Sequence, residues 1–282
     1  MPKSTPSLPL ELEREIAWVT AFSYPWMLPT LMLTARRFSK WLEPLLYHVV
    51  PVDHSPAAYA FMRAAESKPP TFLRHAVRHV YLDSCWEEAH VAKALKMCTG
   101  VQDLAVTANY TETPLLSILC GMQLRRFSGF LVSVFGSPQS INVHHSLLGR
   151  LTHLDLYDDP IPTELFRLLP ALPSLTHLAL NHSVHLSVLR YLLESVPALV
   201  VLIVLWDIDL RDSAVEYGVD LLKHAPTVLN EPRFVMIVYN DTRSEWEAGA
   251  WGGDNFWVRA ERWSKKRRNG EMNPEACLCL DI

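Results

Sequence analysis

The chain of 282 residues is short of glycine, with ten glycines against twenty prolines. A phosphate-cradling loop needs closely spaced glycines, and neither GxGxxG nor GxxxxGK[ST] occurs. GxSxG and HExxH are missing as well, which removes the usual sequence signals of a hydrolase nucleophile and of a zinc-protease helix. The five cysteines follow no framework spacing, which points to a reducing compartment. No excess of basic charge exists either; at a net charge of −4 the chain gives no support to a nucleic-acid-binding surface. Long apolar runs are absent, since Leu199–Trp206 is far too short to span a bilayer. Near the N-terminus Glu11, Glu13, Arg14 and Glu15 interrupt the leucines, so the stretch lacks the continuous apolar core of a signal peptide. These absences predict a soluble chain of the cytoplasm or nucleus with no cofactor, metal, nucleic acid or membrane to bind.

What the chain has is a period. LTHLDL at 151–156 returns as LTHLAL at 175–180, and the same template of two free places, then one, between apolar residues fits at several other positions. Starts at 77, 101, 124, 151, 175 and 199 are separated by 24, 23, 27, 24 and 24 residues. The match at 124 is the poorest, because Gly129 occupies the third apolar place. Alternating apolar residues make a half-buried strand. Helix-like segments lie between the strands at Glu87–Cys98, Pro114–Met122, Thr163–Leu169, Leu186–Val196 and Ser213–His224, with prolines at 170, 173, 197 and 226 ending elements. Such units bury their apolar faces only when stacked. The period lies within the roughly 20–29 residues of leucine-rich repeats. The ninth places, where such repeats use a small polar residue to bond the bending backbone, hold Cys85, Asn109, Val132, Asp159, Ser183 and Asp207. The expected fold class is therefore α/β: a short irregular leucine-rich-repeat solenoid with a parallel sheet on its inner face. A further strand is expected at Arg233–Tyr239.

The residues between the leucines point to the other side of the sheet. Third places are His79, Asp103, Arg126, His153, His177 and Val201; fifth places include Asp155, Ala179 and Ile203, and seventh places Tyr157, Asn181 and Leu205. Stacked about 4.8 Å apart, they form rows on one concave face. That face supplies the candidate target-binding residues His153, Asp155, Tyr157, His177, Asn181, Val201, Ile203 and Leu205. Its apolar end is either a protein-binding hot spot or is covered by the C-terminal segment, through Trp246 or Trp251. That segment reads as a loop over 242–255 followed by a helix Phe256–Arg268, with Phe256, Trp257, Ala260 and Trp263 on one side. It is expected to cap the last repeat; its basic end Lys265-Lys-Arg-Arg268 fits a helix C-terminus or a nuclear import signal. The pairs His144–His145 and His182–His185, the tail Cys277-Leu-Cys279 and the turn Asp158-Asp159 form no catalytic or metal-finger constellation.

Residues 7–50 stand outside the period. They suggest three helices, one following Pro9 and carrying Leu10, Leu12, Ile16 and Val19, one over 29–40, and one from Trp41 to Val50. The stretch resembles an F-box in Leu8, Pro9, Glu11, Leu12 and Ile16, followed by Ala35, Arg36, Arg37 and Trp41, and departs from it at Pro25, Pro29 and Thr34. With FWVRAERWSKKRRNGE at 256–271, the whole chain is similar to the F-box-like proteins of mushroom-forming fungi. The resemblance implies a small all-α F-box-like module that docks on a Skp-type adaptor, and through it a cullin, by Leu8, Pro9, Leu12, Ile16, Leu33, Ala35, Arg36, Trp41 and Leu45. It implies a non-enzymatic substrate receptor of a ubiquitin ligase, monomeric outside the complex, that holds a target protein on its repeats. A stand-alone repeat scaffold with a vestigial F-box is the alternative, and an enzyme a distant third. The expected divisions are a helical module at 1–55, a linking helix and turn at 56–76, repeats at 77–240, and a cap and tail at 241–282.

Overall fold

The structure, a computed structural model, describes residues 8–53, 55–83, 88–109 and 115–280. Nine parallel strands form one sheet, and their order across it is their order along the chain. They are β1 (Val49–Val52), β2 (His79–Leu82), β3 (Asp103–Val106), β4 (Arg126–Gly129), β5 (His153–Leu156), β6 (His177–Asn181), β7 (Val201–Asp207), β8 (Phe234–Tyr239) and β9 (Leu278–Cys279). The first helices, α1 (Leu10–Ser23), α2 (Leu28–Thr34) and α3 (Arg36–Leu42), precede the sheet. Along one face run α4 (Pro56–Ser67), α5 (Pro70–Ala76), α6 (Glu88–Met97), α7 (Leu115–Leu119), α8 (Leu131–Phe135), α9 (Thr163–Leu168), α10 (Leu186–Ser195), α11 (Arg211–His224) and α12 (Pro226–Leu229). Two more, α13 (Thr242–Ala250) and α14 (Phe256–Arg268), follow β8. The fold is α/β. Among the described residues no helix is long and apolar enough to cross a membrane.

The spacing of the leucines sets the register. His79, Asp103, Arg126, His153, His177 and Val201 stand side by side, each the backbone partner of the next. The places that follow them, Val80, Leu104, Phe127, Leu154, Leu178 and Leu202, form a fully buried row against the helices. Each such side chain contributes roughly 1.5–3 kcal/mol by leaving water. Helix α10 shows how a returning segment joins this core: Leu189, Leu192 and Leu193 are buried, and His185 caps the helix by accepting the Ser187 N–H. Gly129 explains the poor fit of its unit. Its φ is +150°, and a Cβ there would lie 2.7 Å from the Val106 carbonyl oxygen, so an L side chain is excluded.

Several elements depart from the sequence expectation. The helix expected over 29–40 is two helices, because Ala35 is extended at φ −156° and ψ 144°. The one expected from Trp41 ends at Leu42; a 3-10 turn follows over Glu43–Tyr47, and then Val49–Val52 pairs with β2. Pro51 lacks an N–H to donate, yet fits because β1 is the edge of the sheet. Residues 242–250 are a helix rather than a loop, capped by Asp241, whose carboxylate accepts the Ser244 N–H at 2.8 Å. Of the ninth places, Asp207 bonds to backbone, accepting the Asp209 N–H at 3.0 Å; Ser183 Oγ donates to Asp159 at 2.6 Å, and Asn109 accepts from Ser133 Oγ, next to the ninth place Val132. Cys85 lies outside the described residues. The neighbouring Asp158 takes the backbone role, accepting the N–H groups of Leu131 and Val132 at 2.8 and 3.3 Å.

The basic end of α14 is partly structural. Arg267 is buried and donates to the carbonyls of Leu229, Phe234 and Pro274. Arg268 reaches the Val200 carbonyl at 2.7 Å, while Lys265 and Lys266 are exposed. Replacing Arg267 by leucine orphans three carbonyls and is expected to lower unfolding stability by about 3 kcal/mol. Alanine at Lys265 or Lys266 changes it by less than about 0.5 kcal/mol; urea denaturation of the three variants checks both.

His48 joins the N-terminal helices to the sheet. Its carbonyl accepts the N–H groups of Arg78 and His79, both at 3.1 Å. Its ring packs on those of Phe22, His79 and Trp251 at 5.6, 5.1 and 5.5 Å. Burial, then the nearby His79 and Arg78, pull its pKa from 6.5 down to about 4. The unfolded chain then binds the extra proton, so His48 favours the folded state above 6.5 and ceases to do so as pH falls to about 4. Stability is expected to fall across that window, and His48→Phe, which keeps the ring contacts, to flatten the fall; denaturation midpoints against pH are the measurement.

Candidate functional site

Two surfaces are chemically informative: the second face of the sheet and the outer side of the N-terminal helices. The second face holds the rows of odd-numbered places, as the alternation of strands requires, but it is covered. Helix α14 lays Phe256, Trp257 and Ala260 on Ala179, Val201, Ile203, Leu205, Val235 and Ile237. Helix α13 and the residue after it lay Trp246, Ala250 and Trp251 on Val49, Tyr81 and Ala105. The apolar end is thus covered by Trp257 rather than by Trp246 or Trp251, which cover the opposite end. The C-terminal arm lies across this face, over the last strands β7 and β8 as well as the first ones, and β9 extends the sheet beyond β8.

Polar anchors hold the arm in place. Arg259 donates twice to Glu245, at 2.7 and 3.2 Å, joining α14 to α13 with both side chains about nine-tenths buried. Glu245 also accepts the Phe256 N–H at 2.7 Å, and the buried Asn255 caps α14 by accepting the Val258 N–H. Trp246 donates its indole N–H to the buried Asp103 at 3.2 Å, and Arg243 pairs with Asp53 beside β1. Glu261 reaches down to His177 Nε2 at 2.8 Å.

The candidate target-binding residues are therefore brought together but not presented. Val201, Ile203 and Leu205 are buried, His153, Tyr157 and Asn181 are half-buried, and Asp155 is 1% exposed. These rows do not form an open docking face, because the C-terminal helices occupy it. Under the cover, Asp155 Oδ1 and the Tyr157 hydroxyl have no hydrogen-bond partner among the described residues. A cavity of about 20 Å³ adjoins them, bordered by Asp103, Arg126, His153 and Trp257. That volume holds one water. Burial pushes the Asp155 carboxyl up to about 7 against the lowering effect of Ser128 and Tyr157. Burial also raises the Tyr157 phenol far above its ordinary range, with Asp155 adding to it. Burial, then His177 and Arg126, take His153 down to about 2. At neutral pH the face thus keeps the His153 imidazole neutral beside a carboxyl that burial holds well above its usual range.

Some of the other histidines and cysteines have structural roles, while the exposed Cys120 Sγ lies 3.3 Å from His145 Nε2. His182 packs on Trp206 at 5.2 Å, His185 caps α10, and Cys277 and Cys279 are buried in the two layers beside β9.

The N-terminal helices invert the usual arrangement. The inner side of α1 is small, with Ala17 and Ala21 buried against Leu28, Leu42 and Leu45. Its opposite side carries Leu12, Ile16 and Val19, exposed at 50%, 54% and 48%. Leu8 and Pro9 lead into the same helix and are exposed, as is Arg36, and Leu33 on α2 is 88% exposed. Of the other candidate adaptor-binding residues, Ala35 and Trp41 are half-buried, and Leu45 is buried and forms part of the inner core instead. Val19 and Trp18 were missed as exposed apolar residues; the i, i+4, i+7 spacing of Leu12, Ile16 and Val19 marks the stripe but not which way it faces.

No protein-family model and no curated protein matches the sequence.

Trp257 carries the cover of the second face, with its edge against His153 and His177 at 5.1 and 5.9 Å. Trp257→Ala is expected to cost about 3–5 kcal/mol of unfolding stability. It should also raise binding of an apolar dye, because Val201 and Ile203 lose their lid; calorimetry and dye fluorescence measure the two effects.

Proposed function

We propose that this protein is a non-enzymatic interaction module, the substrate receptor of a Skp–cullin–F-box ubiquitin ligase. In this reading α1–α3 are an F-box-like module, and the units from β1 onward are an irregular leucine-rich-repeat solenoid. The observation that carries it is the inverted packing of α1: alanines face the module's own core, while Leu12, Ile16 and Val19 face solvent. Such a stripe, with the exposed Leu33 in the same small module, costs solubility unless a partner covers it. The F-box motif residues Leu8, Leu12 and Ile16 lie on this outer side, where an adaptor would meet them. Catalysis would belong to the assembled ligase, which gains from holding its target near the ubiquitin-charged enzyme. The covered second face leaves target capture to the outer surfaces of the units and the loops at the strand ends.

A second reading is favoured by the joint at His48. Phe22 packs on His48 and Trp251, so the helical module also closes the first edge of the sheet. On that reading the module is a cap, and the chain a stand-alone scaffold in the cytoplasm or nucleus.

A pull-down with a purified fungal Skp adaptor separates the two. The receptor reading expects the intact chain to bind, and Leu12→Glu with Ile16→Glu to weaken binding by at least about 100-fold, the cost of removing two buried aliphatic side chains. The double variant should keep its stability within about 1 kcal/mol, since both positions are exposed. No binding by the intact chain, where a standard F-box protein binds, sinks the receptor reading and leaves the cap.

A further inference from the structure

The twin hexamers repeat more than leucine: they repeat Thr-His, as Thr152-His153 and Thr176-His177. Because β5 and β6 are in register, the two imidazoles stack at 4.0 Å with their planes 3° apart. Each threonine treats its histidine alike. Thr152 Oγ1 donates to the Arg125 carbonyl at 3.1 Å and lies 2.9 Å from His153 Nδ1. Thr176 Oγ1 donates to the Thr152 carbonyl at 3.1 Å and lies 2.8 Å from His177 Nδ1. A hydroxyl has one proton; where it goes to the carbonyl, Nδ1 is the donor in each pair and both Nε2 atoms are left as bare lone pairs. That is the tautomer a metal requires, set by a second layer of hydrogen bonds.

The third group comes from the arm. Glu261 Oε1 sits 2.8 Å from His177 Nε2, and the Nε2 and carboxylate atoms of the three residues lie within 4.8 Å of one another. In that tautomer the Nε2 lone pair and the carboxylate oxygen repel unless a proton or a metal ion lies between them. Glu261 is half exposed, so the cluster opens to solvent on its side, while Trp257 closes the other.

We propose that His153, His177 and Glu261 form a site for a divalent transition metal of the zinc class. Two neutral imidazole nitrogens and one carboxylate are a common zinc donor set, with bonds of roughly 2.0–2.2 Å and the fourth position left to water. Coordination would require the stacked rings to tilt from their parallel arrangement so that both lone pairs meet at one point. Harder cations are disfavoured, since magnesium and calcium take oxygen ligands. Arg126, next in the row to His153, adds opposing charge and itself stands beside the buried Asp103. The ion would fasten α14 to β5 and β6, so metal binding and the closure of the second face are one equilibrium.

The test uses the intact chain, stripped with a chelator and titrated with Zn²⁺ and, separately, with Co²⁺. The expected result is one equivalent bound, a visible four-coordinate Co²⁺ spectrum, and a Zn²⁺-dependent rise in melting temperature that the chelator reverses. Glu261→Gln, at a half-exposed helix position that tolerates change, should lower affinity by at least 10-fold and remove the rise in melting temperature. Thr176→Val leaves every ligand in place and should weaken binding by about 10–100-fold. His153→Ala with His177→Ala should abolish the spectrum. Failure of the intact chain to bind one equivalent overturns the site and leaves a proton between His177 and Glu261. Binding that survives Glu261→Gln and Thr176→Val unchanged also overturns it, by placing the ion elsewhere.

Discussion

A parallel sheet has two faces, and parallel strands are seldom stable with water on either. In this chain one face is covered by the segments that return between strands, which the sequence period supplies locally. The other has no such cover from the units themselves, because the described helices between β1 and β8 pass along the first. The nine strands therefore depend on a segment from far along the chain. Helices α13 and α14 provide it, and the composition of the second face follows from their arrival. It is apolar under α14, at Ala179, Val201, Ile203, Val235 and Ile237, and aromatic and apolar under α13, at Tyr81 and Ala105. Between the two patches the row is polar.

That polar stretch positions the cover rather than adding to its hydrophobic hold. Asp103, Arg126, His153 and His177 occupy successive third places, and the arm meets two of them with specific groups: the Trp246 indole for Asp103 and the Glu261 carboxylate for His177. An apolar row would let two amphipathic helices slide along the sheet; donors and acceptors at fixed spacing admit one seating. Burying polar groups costs stability unless each finds a partner. Asp155 Oδ1 and the Tyr157 hydroxyl, which find none, mark the place where the seating leaves a small cavity.

How much of this was legible follows from which interactions are local. The register from β2 to β7 could be read from the leucines, because a repeated template aligns each strand with the next. Strand β8 was legible as an apolar run. Strand β1 was not: Val49, Val50 and Val52 follow a helical stretch and include a proline, and only pairing with His79–Leu82 makes them a strand. The face of α14 was legible from Phe256, Trp257, Ala260 and Trp263, yet its destination was not. Which part of a sheet a helix covers depends on contacts between residues well separated along the chain, as in the patch that joins Trp257 to Val235 and Val201, and no local spacing encodes them. The same limit applied to the candidate binding residues. Alternation along each strand puts their side chains on one face; its closure lay in the arm.

The N-terminal helices pose the converse problem. Local pattern gave α1 an apolar stripe, and the expectation for any amphipathic helix is that the stripe turns inward. Here the small residues turn inward, and the reason lies in the module's size. Three short helices enclose too little volume for large side chains on every facing side, and Leu28, Leu42 and Leu45 already fill it. Ala17 and Ala21 let α1 approach closely enough to close that small core. The larger residues of α1 are then left outside by geometry. Phe22 fixes the angle at which they are held, through its contacts with His48 at the first strand and Trp251 after α13. A rigid sheet thus carries, at its first edge, an apolar stripe in a set direction. A partner that docked there would be held in one orientation relative to everything the repeating units present.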